Sequence, residues 1–350
     1  MNKLNSEIAR WIKPKLLALL GIIFLLIWLG WSLVSAEQKQ TSRDQFLSPL
    51  AQLEPSFEVT QPLPQLLRVE NNKVELGARL FSDVRLSLDD SISCASCHVL
   101  SAGGTDNRYR SIGVNGQVGR VNAPTVLNSG FNFVQFWDGR AASLEEQVEG
   151  PVNHPKEMAS NWPLVLSKLE KDAGYISQFN RLYAEGITVP NIKHAIASFE
   201  RSLITPNSRF DKFLRGEATA LNAHEIRGYE LFQSYGCASC HQGVNLGGNM
   251  YEKMGLMGDY FADRGNLTDA DNGRFNVNHN PDSLYEFRVP SLRNVALTAP
   301  YFHDGNATTL EQAVTIMAKY QLGRAMPADD LDDIAAFLRT LTGEFEGKPL

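Results

Sequence analysis

The sequence has few cysteines, no run of basic residues and no large excess of charge of either sign. Only 4 of its 350 residues are cysteine, which is too few for a disulfide-stabilised scaffold in a chain of this length. The formal net charge is −6 and lysine and arginine are not clustered, so we do not expect nucleic acid as a partner. Hydrophobic residues make up 43% and charged residues 21%, which excludes disordered, collagen-like and coiled-coil chains. The length predicts two globular domains of about 100–200 residues each.

One long uncharged segment lies near the N-terminus. Residues 16–36 are 21 residues without a charge, and a helix of about 20 apolar residues is long enough to span a bilayer. Basic residues dominate the stretch before it, which predicts that this end stays in the cytoplasm and that the remainder is exported. We therefore predict a periplasmic protein whose residues 1–36 anchor it in the inner membrane, followed by a proline-containing tether over residues 37–65. The small residues at 34–36 leave cleavage after Ala36 as the alternative.

Two short cysteine motifs carry the chemistry of this sequence. Residues 94–98 and 237–241 both read Cys-Ala-Ser-Cys-His, the C-x-x-C-H pattern that attaches c-type haem. The two thiols bond to the two vinyl groups of one porphyrin, and the adjacent histidine becomes the proximal ligand of the iron. A thioredoxin-like pair, a zinc site or disulfides would not require a histidine after each cysteine pair. We therefore predict two covalent haems, held by Cys94, Cys97, His98, Cys237, Cys240 and His241.

The chain repeats itself around these motifs. The second cysteine motif follows the first at an offset of 143 residues, whereas segment 123–128 returns as segment 289–294 at an offset of 166. The second half therefore holds about 23 extra residues, which we place in the polar stretch around residues 256–283. A duplication of this kind predicts two tandem haem domains.

Helical periodicity agrees with this organisation. Residues 191–205 and 329–341 place their apolar side chains three and four positions apart, and neither half shows runs of alternating strands. The predicted fold is mostly α, with two tandem cytochrome-c-like (class I) haem domains after the transmembrane helix. We assign the first haem domain to residues 66–205 and the second to residues 206–350.

The two halves differ where a second iron ligand would lie. Met317 follows His241 by 76 residues on a predicted helix, and a thioether is a sixth ligand that raises the potential of haem iron. The other readings are that Met317 fills the core, or that another methionine of the second half is the ligand. Those methionines are Met250, Met254, Met257 and Met326.

The first half has other side chains at the matching positions. Trp137 stands where the second half has His303, and it is either a core aromatic or an indole between the haems that carries electrons. For His303 itself we favour a structural, hydrogen-bonded role over ligation. Gln147 and Glu157 predict a polar pocket above an open iron, where a carboxylate can shuttle a proton between the two oxygens of a peroxide. A lone glutamate such as Glu157 is also compatible with a solvated surface.

These motifs occur in the order seen in one known family. The tract from about residue 76 to residue 342 closely resembles the bacterial di-haem cytochrome c peroxidases, which include the related MauG maturases. The matching pieces are SCASCHVLSAGGTDNR, NAPTVLN, FWDGRAASLEEQ, GPVNHPKEM, ASFERSLITPNSRFDKFLRG, GCASCHQG, VPSLRN, TAPYFHDG and IMAKYQLGR. The resemblance implies a peroxidatic haem on His98 and an electron-transferring haem on His241 and Met317. The catalytic residues that it implies are Trp137, Gln147 and Glu157.

The resemblance also implies a metal ion and an oligomer. A Ca²⁺ between the domains would be bound by the side chain of Asn122 and the backbone carbonyls of Thr298 and Pro300. Oxygen ligands of this kind suit a hard cation. Members of the family are commonly homodimers, and we expect the same here.

One tract departs from the family. In many members the sequence S-I-G-H follows the first haem motif, and its histidine caps the peroxidatic iron until the other haem is reduced. Here Val114 takes that place and cannot ligate iron, so we expect an open first haem in every oxidation state, with His154 and Met158 as the remaining candidate caps. MauG-type enzymes also have an open first haem, but they use a tyrosine at the second haem. Met317 fits that position better here, although Tyr320 lies three residues further on.

The sequence therefore predicts a periplasmic di-haem peroxidase. It would reduce H₂O₂ to water with electrons from a small cytochrome c, a cupredoxin or membrane quinol. Two alternatives remain: a MauG-like enzyme that oxidises residues of a partner protein, and a non-enzymatic di-haem electron carrier.

Overall fold

The computed structural model describes residues 49, 53 and 58–350. The predicted membrane anchor and most of the predicted tether lie outside the described residues. Among the residues that are described, no helix has the length and apolar character needed to cross a membrane. At the end of the predicted tether, Thr60 and Leu63 are buried, and the Leu63 amide donates to the Asp211 carboxylate at 3.0 Å. The last residues of the tether therefore pack against the second haem domain.

The first half is built from short helices joined by loops. Its α-helices in the described part of the chain are α1 (Asn71–Phe81), α2 (Cys94–Cys97), α3 (Leu144–Gln147), α4 (Glu149–Asn153), α5 (Trp162–Leu169), α6 (Ala173–Leu182) and α7 (Val189–Ser202). Its 3-10 turns are Val84–Leu86, Leu100–Ala102, Val114–Gly116 and Ser129–Phe131. Helix α7 begins before the predicted residue 191 because Thr188 accepts a hydrogen bond from the Asn191 amide, and Pro190 is suited to the first turn.

The second half repeats this plan and adds an insertion. Its α-helices in the described part are α8 (Arg209–Leu214), α9 (Ala223–Ser234), α10 (Tyr260–Arg264), α11 (Phe275–Asn278), α12 (Leu310–Tyr320) and α13 (Ala328–Arg339). Its 3-10 turns are Ala218–Ala220, Cys237–Ser239, Asp269–Asn272, Pro281–Ser283 and Val295–Leu297. Strand β1 (Tyr251–Lys253) pairs antiparallel with β2 (Glu286–Arg288), and β3 (Glu344–Phe345) with β4 (Lys348–Pro349). The predicted extra stretch around 256–283 lies between β1 and β2, whose pairing closes its base.

In each half, the helix before the cysteine motif crosses the last long helix at a glycine. A Cβ atom on Gly77 of α1 would lie 2.0 Å from the carbonyl oxygen of Ala195 in α7. A Cβ atom on Gly228 of α9 would lie 1.9 Å from the carbonyl oxygen of Asp333 in α13. Only glycine permits backbones to approach this closely. The mostly helical, duplicated fold predicted from the sequence is confirmed.

The described residues form two main hydrophobic cores. The first extends from Leu76 to Leu203 and the second from Phe210 to Leu341, so they separate close to the predicted boundary at 205 and 206. Thr205 lies at this junction. Its hydroxyl accepts a hydrogen bond from Asn128 Nδ2 at 2.8 Å and another from Asn294 Nδ2 at 2.9 Å, and these two asparagines are equivalent in the duplication.

Candidate functional site

The first cysteine motif opens onto a cavity of about 690 Å³. Cys94, Cys97 and His98 line this cavity. His98 Nδ1 lies 3.2 Å from the carbonyl oxygen of Gly104 and donates to it, which leaves Nε2 as the atom available to a metal. Burial lowers the pKa of His98, so the imidazole is neutral, as metal ligation requires.

The second motif has the same local arrangement. Cys237, Cys240 and His241 line a cavity of about 280 Å³. His241 Nδ1 lies 3.2 Å from the carbonyl oxygen of Leu246, and burial lowers the pKa of His241 to about 4. The duplicated sequence therefore places two equivalent histidines, each oriented by a backbone carbonyl, beside two cavities.

A buried arginine supports haem as the occupant of both cavities. Arg288 is only 3% exposed and lines both of them. Its Nε donates to the Phe136 carbonyl at 3.1 Å, and no carboxylate among the described residues forms an ion pair with it. A buried cation needs a counter-charge, and the propionates of haem are carboxylates that would supply it. Sequence reasoning missed Arg288, because a lone arginine between motifs carries no signal of burial.

Trp137 lies at the border between the two cavities. Its side chain is half-buried and lines both of them. The indole Nε1 donates to the Asn122 carbonyl at 3.0 Å, which fixes the orientation of the ring. This placement suits an indole between two haems, and its role in electron transfer stays a prediction.

His303, the residue equivalent to Trp137, belongs to an ion-pair network. His303 Nε2 lies 2.7 Å from Asp271 Oδ1, and its ring stacks on Phe287 with the centroids 4.3 Å apart. Burial opposes ionisation of Asp271, but hydrogen bonds from His303 and Arg264 outweigh it and hold the pKa of Asp271 well below its usual range. Asp271, His303 and Asp304 are close enough to surround a cation. Because Arg264 bridges both carboxylates, we assign the cluster a structural role.

The two predicted distal residues face the first cavity. Gln147 and Glu157 both line it, together with His154 and Arg140. Glu157 Oε1 lies 3.5 Å from His154 Nδ1. The Glu157 side chain is 38% exposed, and its partial burial raises its pKa despite the opposing effects of His154 and Arg140. A carboxyl with a raised pKa holds its proton closer to neutral pH, which suits proton transfer.

The tract with the unusual valine holds the Glu157 segment in place. Val114 is 1% exposed, and its amide donates to the Glu157 carbonyl at 2.9 Å. The preceding Gly113 is required here, because a Cβ atom would lie 2.1 Å from the carbonyl oxygen of Lys156. Of the two alternative caps, Met158 is buried and His154 is partly exposed, and both line the first cavity.

The structure narrows the choice of methionine at the second site. Met317 lines the second cavity from the last turn of α12, and Met254 and Met326 line it as well. Met250 and Met257 do not. The hydroxyl of Tyr320 donates to Asp263 Oδ2 at 2.8 Å, and Tyr320 is not among the lining residues. A thioether is therefore better placed than the tyrosine to approach this haem.

The three predicted calcium ligands lie along the same cavity. Asn122, Thr298 and Pro300 all line the second cavity. Asn122 is buried and donates from Nδ2 to the Arg108 carbonyl at 2.8 Å, so its Oδ1 is the atom left for a cation. These oxygen donors fit a hard cation such as Ca²⁺.

Comparisons with known proteins agree with this arrangement. The family model described as di-haem cytochrome c peroxidase matches residues 71–219, and the cytochrome c model matches residues 226–342. Cytochrome c peroxidase Ccp of Escherichia coli (strain K12) is 52% identical over 289 residues, which cover 82% of this chain and 62% of that protein. Cytochrome c551 peroxidase of Nitrosomonas europaea is 46% identical over 288 residues, which cover 82% of this chain and 85% of that protein. The crystal structure of a MauG-like protein associated with microbial copper homeostasis superposes with a TM-score of 0.72 at 31% identity, covering 83% of this chain and 95% of that one.

Proposed function

Because this chain belongs to the di-haem cytochrome c peroxidase family, we propose that it reduces hydrogen peroxide to water. One H₂O₂ takes up two electrons and two protons and yields two molecules of water. A small cytochrome c, a cupredoxin or membrane quinol supplies the electrons one at a time. The observation that carries this proposal is the difference between the two cavities. The one beside His98 is lined by Gln147 and by Glu157, a carboxyl with a raised pKa, whereas the one beside His241 is lined by three methionines, of which Met317 lies on α12.

At the first site, the side chains of Glu157 and Gln147 transfer protons and orient the peroxide. The haem, when bound at Cys94, Cys97 and His98, supplies the redox chemistry. Glu157 takes a proton from one peroxide oxygen and returns it to the other, which then leaves as water. Gln147, which lines the same cavity, donates a hydrogen bond that orients the peroxide.

At the second site, the side chains set the potential at which the haem would accept electrons. We assign Met317 as the sixth ligand of the haem on His241, because a thioether ligand would stabilise reduced iron and raise the potential at which that haem accepts an electron. Trp137 connects this site to the first one. Asn122, Thr298 and Pro300 would hold a Ca²⁺ that fixes the border between the two domains.

The proposal extends to location and assembly. Residues 16–36 anchor the protein in the inner membrane with the haem domains in the periplasm, and two copies form a homodimer. The support for the anchor is the uncharged sequence and its basic flank. The support for the dimer is that members of the family are commonly homodimers.

Turnover with a defined donor tests this function. The purified di-haem protein is mixed with H₂O₂ and a reduced small cytochrome c, with a reduced cupredoxin and a quinol analogue as parallel donors. We expect two donor electrons to be consumed per peroxide. The matched control is the double variant Cys94→Ala and Cys97→Ala, which lacks the first haem and should be inactive.

The same experiment distinguishes the alternatives. A MauG-like enzyme would leave these donors reduced and oxidise residues of a partner protein. A simple electron carrier would consume no peroxide, and its oxidised spectrum would show two low-spin, six-coordinate haems. Either result would overturn the proposal.

A further inference from the structure

Glu200 is a buried carboxyl that the peroxidase reaction described above does not use. It lies on α7, is 5% exposed and lines the first cavity. Its Oε2 atom is buried and has no hydrogen-bond partner. A buried polar atom without a partner is costly, so its presence calls for a functional explanation.

The duplication shows that this carboxyl belongs to the first cavity alone. Ala195 and Phe199 of α7 contact Gly77 in the way that Asp333 and Phe337 of α13 contact Gly228. This correspondence pairs Glu200 with a leucine, Leu338. Leu338 is 4% exposed and lines the second cavity.

A second polar replacement lies nearby. Ser129 lines the first cavity, is buried, and its Oγ has no hydrogen-bond partner. Its equivalent in the second half is Val295, which lines the second cavity. The turn Ser129–Phe131 packs against α7, the helix that carries Glu200. The first cavity therefore has polar groups on a wall that is apolar in the second.

The groups around Glu200 do not provide a dedicated counter-charge. Arg201 on the same helix is paired with Glu145 of α3 at 2.7 Å. From α1, Phe81 packs edge-on against Phe199 of α7 and brings no charge. From α2 the facing group is the Cys94 thiol. Burial and the charge of Glu200 both raise the pKa of this thiol, which becomes a thioether when haem is attached. Burial then raises the pKa of Glu200 to about 8, with Arg201 opposing and Glu145 adding to the rise.

We propose that Glu200 couples proton uptake to reduction of the first haem. Its carboxylate takes one proton from solvent when that haem accepts one electron from the second haem, and releases it when the electron leaves. The reason is electrostatic. An added electron and an ionised carboxylate repel each other in a cavity of low dielectric constant, and protonation removes the repulsion. This inference rests on the proposed function in requiring a haem at Cys94, Cys97 and His98 that receives its electrons one at a time from the second haem.

The pH dependence follows from the direction of this coupling. At a pH below the pKa, Glu200 is protonated in both oxidation states, and the reduction potential of the first haem does not change with pH. Between the pKa of the oxidised form and the higher pKa of the reduced form, reduction takes up a proton and the potential falls as the pH rises. When one proton is taken up per electron, the equilibrium constant for reduction falls at most tenfold for each unit that the pH rises. This fall corresponds to about 59 mV in the potential.

Spectroelectrochemical titration of both haems from pH 6 to pH 10 tests the proposal. We expect the equilibrium constant for reduction of the first haem to fall at least tenfold over this pH range in the wild-type di-haem protein. In Glu200→Gln the fall should be less than threefold, and Glu200→Leu, which copies the second half, should behave in the same way. The matched control, Glu185→Gln, removes an exposed carboxylate of the same domain and should retain the wild-type dependence.

Two outcomes of the titration would overturn the proposal. One is a wild-type potential that does not vary with pH. The other is a Glu200→Gln variant that keeps the full dependence, because the titrating group would then lie elsewhere. If the variants fail to load haem, the reduced-minus-oxidised infrared spectrum of the wild type at pH 9 decides. A carboxylic acid band that grows on reduction supports the proposal, and its absence refutes it. Neither measurement uses peroxide, so loss of peroxide turnover is a separate result that concerns the proposed function.

Discussion

The buried ion pair between Arg293 and Asp211 offers a quantitative test of how the second haem site is supported. Both side chains are 0% exposed, and Arg293 Nη1 lies 2.7 Å from Asp211 Oδ1. Arg293 also donates from Nε to the Val244 carbonyl at 2.9 Å and from Nη2 to the Gln61 carbonyl at 2.7 Å. Val244 lies in the loop that provides the carbonyl acceptor of His241. One guanidinium thus joins the end of the tether, α8 and the second haem loop.

Replacing Arg293 by methionine should be strongly destabilising. The change leaves the Asp211 carboxylate buried without a cation, and breaking a buried pair in this way costs about 3–5 kcal/mol. The assay is guanidinium unfolding of the di-haem protein followed by far-ultraviolet circular dichroism. The double variant Arg293→Met and Asp211→Leu should recover most of the loss, since no charge stays buried. As an exposed control, Lys319→Met removes one partner of a surface pair and should cost less than about 1 kcal/mol. A loss below about 1 kcal/mol in Arg293→Met would refute this reasoning, because it would mean that water reaches Asp211.

Three further substitutions test the two haem sites. Glu157→Gln should keep both haems and lower kcat/KM for peroxide by about 10²–10⁴, the usual effect of removing a general acid–base group; an unchanged rate would show that Glu157 is only a surface carboxylate. Met317→His should lower the potential of the second haem, because a stronger donor stabilises Fe(III). An unchanged potential would move the assignment to Met326. The oxidised wild type should contain high-spin ferric haem and bind cyanide without prior reduction, and Val114→His should restore a low-spin resting state. A purely low-spin, unreactive wild type would contradict this expectation, and His154 would be the next cap to test.

The cysteine motifs and the duplication could be predicted from the sequence because their chemistry is local. Two thiols separated by two residues, with a histidine directly after them, meet the requirements of haem attachment within one turn of chain. The crossing of α1 with α7 at Gly77, and its counterpart at Gly228, became known only from the structure. Where a helix begins depends on one or two neighbouring residues, here Thr188 and Pro190. The start of α7 therefore differed from the prediction by only two residues.

Only the tertiary structure decided which polar residues are buried and what faces them. Arg288 and Glu200 look like ordinary charged residues in the sequence, and it is segments far along the chain that enclose them. The exclusion of Tyr320 from the second cavity depends on Asp263, which lies 57 residues earlier in the insertion. The choice among the methionines is likewise a matter of which side chains reach the same space. Burial and pairing are properties of residues brought together from distant parts of the chain, and no local pattern of residues specifies them.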